Sequence, residues 1–119
     1  MAEELSRLVL HTQDGVLVAM LKDAQLFGEA DISEVAQLLQ AIIGQDKPKL
    51  VIDLTRVAGA GSMFFGMLMQ LRRQINERGG RLALAGAGPF LRQSLRIAGI
   101  DRIVPVLDDV EQARKRVQG

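Results

Sequence analysis

Apolar positions in this chain recur in two rhythms. Leu8-Val9-Leu10 and Val16–Leu21 are short β-rich runs parted by Gln13-Asp14-Gly15, and Asp-Gly between such runs predicts a hairpin. Past a polar stretch the spacing lengthens. Ile32, Val35, Leu38, Leu39, Ile42 and Ile43 fall on one helical face, with Asp31 as the expected cap and Glu34 completing a box-like start. Gly44 ends that helix, and Pro48 blocks a restart. Leu50-Val51-Ile52-Asp53-Leu54 is nearly all apolar, as a strand buried on both faces should be. A small-residue turn, Ala58-Gly59-Ala60-Gly61, leads into a helix from Ser62 to about Arg78, which Gly79-Gly80 stops. Arg81–Ala85 reads as the next strand, Phe90–Ile97 as a short helix ended by Gly99, and Ile103-Val104-Pro105-Val106 as a final strand. The proline confines that strand to an edge. Asp108 or Asp109 caps a closing helix through Val117.

The order β-β-α-β-α-β-α-β-α predicts an α/β fold: a mixed sheet that starts antiparallel and continues parallel through right-handed crossovers. At 119 residues, with no internal repeat and no dividing linker, residues 1–119 are expected to form a single domain. The hydrophobic fraction is 48% but the aromatic fraction only 3%, without Trp or Tyr. The core must then be aliphatic, and a surface that stacks bases or sugars is disfavoured. Fifteen basic and fourteen acidic residues are interspersed. A nucleic-acid partner is therefore not expected. The one basic cluster, Arg114-Lys115-Arg116, suits the negative end of a helix dipole. There are no cysteines, which excludes disulfides and thiolate metal sites and permits a reducing cytoplasm. Met1–Arg7 has no apolar run of the signal-peptide kind. Val16–Leu21 and Met63–Leu71 are too short to span a bilayer, so no membrane insertion is expected.

Catalytic chemistry finds little support. The one histidine, His11, lies within the first strand, far from any plausible metal set or from Ser62 as nucleophile. Asp53 ends a buried strand, where a carboxylate more often accepts backbone or hydroxyl hydrogen bonds than performs acid–base work. Gly59-Ala60-Gly61-Ser62-Met63-Phe64 begins like a dinucleotide fingerprint, but Phe64 stands where the third glycine should be. Neither that loop nor Gly86-Ala87-Gly88 continues into the Gly-Lys-Ser/Thr of a phosphate-binding loop. The residues thus indicate no catalytic group, no metal and no cofactor, with a nucleotide site as the weakest alternative.

The helix after Ser62 is more informative. Phe64, Met67, Leu68, Leu71 and Ile75 form its core stripe. Phe65 and Met69 fall off that stripe, beside Arg72 and Asn76. They are expected to be exposed, and Met, aromatics and Arg are enriched in protein interfaces; the competing expectation is that a loop or the last helix covers them. Ser62 at the helix mouth is either an N-cap or a phosphoacceptor, whose phosphate the helix N-terminus would hold. The candidate contact set is Gly59, Gly61, Ser62, Met63, Phe65, Met69 and Arg72, extended by Asp23 and Gln25 in the stretch Asp23–Leu26.

Leu50-Val51-Ile52-Asp53-Leu54-Thr55-Arg56-Val57, followed by the small-residue loop and Ser62, resembles the central strand and switch loop of STAS domains, the bacterial anti-sigma-factor antagonists and their relatives. The resemblance continues through Glu77-Arg78-Gly79-Gly80-Arg81-Leu82-Ala83-Leu84 and Gly88–Ile100 to Val110-Glu111-Gln112-Ala113. It implies a mixed sheet with about four helices mainly on one side. It also implies a non-catalytic regulatory module that docks on an anti-sigma factor or switch kinase. Kinase-switched members typically read Asp-Ser-Ser/Thr-Gly at the loop; here the matching positions are Gly61-Ser62-Met63-Phe64. The serine is kept, while the acid, the second hydroxyl and the glycine are gone. That departure leaves open a second client, such as an ABC-type lipid-transport ATPase, and a homodimer is a further assembly the reading allows.

Overall fold

The computed structural model describes residues 2–44 and 46–119. Its strands are β1 (Ala2–Glu4), β2 (Leu8–Gln13), β3 (Val16–Leu21), β4 (Gln25–Leu26), β5 (Lys49–Asp53), β6 (Gly59–Ala60), β7 (Arg81–Ala85) and β8 (Val106–Leu107). The helices are α1 (Glu29–Ile42), α2 (Ser62–Glu77), α3 (Pro89–Ile97) and α4 (Val110–Gln118), with a short 3-10 turn at Ile100–Arg102. Six strands form one sheet in the order β1-β2-β3-β5-β7-β8, antiparallel as far as β3 and parallel beyond it. β4 and β6 form a separate parallel pair.

Strand alternation sorts the core into two layers. Leu50, Ile52, Leu82 and Leu84 face α1, α2 and α3, where Phe64 is fully buried among Leu39, Leu68 and Leu95. Val51, Ala83 and Ala85 point the other way and pack with Val16 and Val18 against Ala113 and Val117 of α4. Small residues on that second face let a single helix lie close to the sheet. Buried Arg114 bonds both Glu111 and Asp14, which ties α4 to the β2–β3 turn. In that turn Asp14 and Gly15 both take positive φ, 52° and 79°, the geometry a two-residue Asp-Gly hairpin needs.

Three expectations are corrected. α1 starts at Glu29 with Gly28 as N-cap, about one turn earlier than the Asp31 cap, and Asp31 and Glu34 bond Arg7 instead of forming a box. α2 is capped by Gly61, and Ser62 is its first helical residue, making no side-chain cap bond. The last strand is Val106–Leu107 instead of Ile103–Val106. Arg72 Nε donates to the Ile103 carbonyl (3.0 Å), and Pro105 has no N–H to offer β7, so the ladder cannot extend toward Ile103. Asp109 is the cap of α4, accepting from Gln112 N at 2.8 Å.

Candidate functional site

The site is built at the C-terminal end of β5. Asp53 accepts from the backbone N–H (3.0 Å) and the hydroxyl of Thr55, so its carboxylate shapes the exit from the strand. The chain then runs alongside the segment before α1. Ala58 and Gly59 donate to the Ala24 carbonyl (2.7 and 3.2 Å), and Gly61 donates to that of Leu26 (3.2 Å). This stitching makes β4 and β6 a pair, and it brings the Asp23–Leu26 stretch and the Ser62 loop together. The Phe27 ring lies over the junction: a Cβ on Gly61 would come 2.9 Å from Phe27 Cδ1, and one on Gly59 would come 2.7 Å from Gln25 Oε1. Glycine at these two positions lets the aromatic lie against the backbone.

Arg7 anchors the other side of this segment. Its guanidinium reaches Asp23 (2.7 Å), Asp31 (2.8 Å) and Glu34 (2.8 Å), joining the loop after β1, the approach to β4 and the start of α1. The hydrogen bond to Glu34 is the largest influence raising the Arg7 pKa further above its ordinary value. The same bond holds Glu34 below the usual carboxylate range. One cation and three carboxylates thus fix where Gln25 and Phe27 stand.

Around the mouth of α2 the surface is apolar. Phe27 is 54% exposed and Met63 46%, while Met69, 42% exposed, lies about two turns further along the helix. Ser62 is exposed between Gly61, on which Phe27 lies, and Met63. Beside Met63 a shallow groove of about 350 Å³ opens between α1 and α2, lined by Ile32, Ala36, Gly66 and Met67 with Glu29 and Gln70 at its rim.

The remaining predicted contact residues divide. Gln25 is exposed, whereas Gly59 is buried against the side chains of Gln25 and Phe27. Asp23 is half-buried and engaged by Arg7. Gly61 is half-buried beneath Phe27. Phe65 departs from the expected exposed pair: it is half-buried on the main core, its ring centroid 6.2 Å from that of Phe64. Arg72, on the same flank, is held by the Ile103 carbonyl, so the segment after α3 closes over this side of α2. The sequence reading missed Phe27, Arg7 and the α1 side of the groove. An isolated aromatic in a polar stretch just before a helix was the available signal for Phe27. His11 sits half-buried in β2, opposite Val18 of β3. No group of three or more His, Cys, Asp or Glu capable of holding a metal occurs among the described residues.

A sheet that begins antiparallel and turns parallel, with a serine-bearing loop at the central strand's end leading into a half-exposed helix, defines the class. The family model described as "Mlab, STAS domain" matches residues 25–107, and the chain belongs to the STAS domain family. A protein named as a candidate anti-sigma factor antagonist, BtrV of Bordetella bronchiseptica, is 25% identical over 107 residues, covering 90% of each chain. Another candidate antagonist, from Thermotoga neapolitana, is 28% identical over 71 residues; the match covers 60% of this chain and 63% of that protein. Among solved structures, an anti-sigma factor antagonist from Mycobacterium paratuberculosis superposes with a TM-score of 0.83 at 22% identity, over 94% of this chain and 93% of that one.

Proposed function

We propose that this STAS domain is a non-catalytic regulatory module that captures an anti-sigma factor, docking through the Ser62 loop and the outward side of α2. The observation that carries this reading is exposed Phe27 and Met63 beside Ser62, on a loop fixed by the β4–β6 pair, with exposed Met69 about two turns further along α2. Exposed aromatic and Met side chains on a rigid frame suit a docking centre, because little ordering entropy remains to be lost on binding. The relatives' names, anti-sigma factor antagonists, support the choice of client. The non-catalytic reading rests on His11 lying within β2 and on Asp53 being occupied by Thr55. No helix among the described residues is long and apolar enough to cross a membrane; the proposed site of action is the cytoplasm.

Ser62 is the position at which this docking would be switched. It is exposed, its hydroxyl makes no cap bond, and a phosphate there would place nearly two negative charges amid the apolar group. Incubating the chain with the anti-sigma kinase of its source organism and ATP, then mapping phosphosites, tests this directly. Modification at Ser62 with loss of capture supports the switch, and capture without modification leaves docking but removes the switch.

A second reading is favoured by Gly61-Ser62-Met63-Phe64, which lacks the acid and second hydroxyl of the kinase-read loop. In it the chain is a constitutive subunit of an ABC-type lipid-transport ATPase. Copurification with such an ATPase, undiminished by Ser62→Ala, would select it over the first. A nucleotide-binding role is the third; titration with ATP and GTP that gives no heat removes it.

A further inference from the structure

At the far end of α2 from Ser62, a cavity of about 220 Å³ is lined by Arg72 and Asn76 of α2, Arg81 and Leu82 of β7, Ile103 and Pro105 of the following connection, and Arg116 of α4. It exists because β8 is only two residues long, so the edge of β7 below Leu84 is left open between α2 and α4. Three arginines from three separate elements converge on this opening. Arg7, Arg92, Arg96 and Arg114 each have a carboxylate within 4.0 Å; among the described residues, Arg72, Arg81 and Arg116 have none. Arg72 is half-buried and oriented by its bond to the Ile103 carbonyl, so its remaining N–H groups are directed without further ordering. Unpaired like charges around one small space repel one another, and an anion at its centre would relieve that repulsion.

We infer that this cavity is a binding site for a phosphate group. Guanidinium forks match phosphate oxygens two at a time, and three forks with the Asn76 amide offer more donors than the two oxygens of a carboxylate can accept. The volume lies below the roughly 300–1,000 Å³ of sites that enclose drug-sized ligands. The occupant is therefore free phosphate or pyrophosphate, or the phosphoryl end of a larger molecule that extends into solvent. Arg116, which as a sequence feature only complements the dipole of α4, gains a second role here.

The test is calorimetric titration of the full chain with inorganic phosphate, pyrophosphate and glycerol phosphate at constant ionic strength. The expected result is saturable one-to-one binding, weakened about tenfold or more by Arg116→Ala or Arg81→Ala, as loss of a charged hydrogen-bond donor predicts. Arg73→Ala, which removes the same charge from α2 outside the cavity, should leave binding unchanged. Tighter glycerol phosphate binding assigns the site to a phosphate ester, and tighter phosphate or pyrophosphate binding to the inorganic ion. Absence of saturable binding up to millimolar concentration, or equal weakening by Arg73→Ala, would overturn the inference. Thermal melting without phosphate checks that the variants are folded, and Arg116→Lys, which keeps charge but loses the fork, should bind more weakly than wild type.

Discussion

The two ends of α2 are built differently. Its last turns are fastened: Leu71 and Ile75 are buried, Arg72 bonds Ile103, Gln74 bonds Gln40 of α1, and Arg78 just beyond the helix donates to the Ile43 carbonyl at 2.7 Å. Its first turns bury Phe64 and Leu68 and half-bury Phe65 and Met67, while Ser62, Met63, Gly66 and Met69 face water. A helix whose core face is buried along its length can present the outer face of its first turns without refolding. This is the arrangement expected of a docking surface that must keep its shape when no partner is present.

That contrast can be broken most severely at the fastened end. Leu71→Ala leaves a hole in the main core and should cost about 2–5 kcal/mol in chemical denaturation, as buried Leu truncations do. A cost under about 0.5 kcal/mol would place Leu71 at the surface instead. At the presented end the effects should fall on binding. Gly61→Ala forces the Phe27 ring away from the loop, so capture should weaken severalfold, with only a small change in melting because a side-chain end can move.

Acid should loosen the α1 side. Glu34 titrates below its ordinary value of 4.5 because Arg7 bonds it, so its stabilisation is complete above that value and is lost as pH falls through the lower, folded-state value. Glu111, held low by Arg114, acts in the same direction at α4. A plot of unfolding free energy against pH should therefore decline on the acid side, and Glu34→Gln should flatten part of that decline. The smallest effect is expected at Ser62. Because Gly61 and not Ser62 is the N-cap of α2, Ser62→Ala should leave stability within about 0.5 kcal/mol of wild type, whereas a true cap would lose about 1 kcal/mol.

The legible parts of this fold were those fixed by local pattern. The Asp14-Gly15 hairpin, the buried run at β5 and the stripe of Phe64, Leu68, Leu71 and Ile75 all follow from spacing alone. Pairing that depends on distant chain was not legible. Ala2–Glu4 is a charged segment that becomes a strand only beside β2, and β4 and β6 are two-residue strands made by each other. Phe65 illustrates the same limit: helical geometry places it off the core stripe, but a segment some thirty-five residues later closes over that flank. Half of the proposed contact surface was therefore visible in α2, and the half assigned to Phe27 and α1 required the folded chain.

The most direct measurement is calorimetric titration of the purified anti-sigma factor of the source organism with wild-type chain, Met63→Asp and Met69→Asp. The account predicts tight binding by the wild type, a loss of about tenfold or more for each variant, and melting temperatures that stay close to wild type. Unchanged affinity in both variants, with the fold intact, would contradict it.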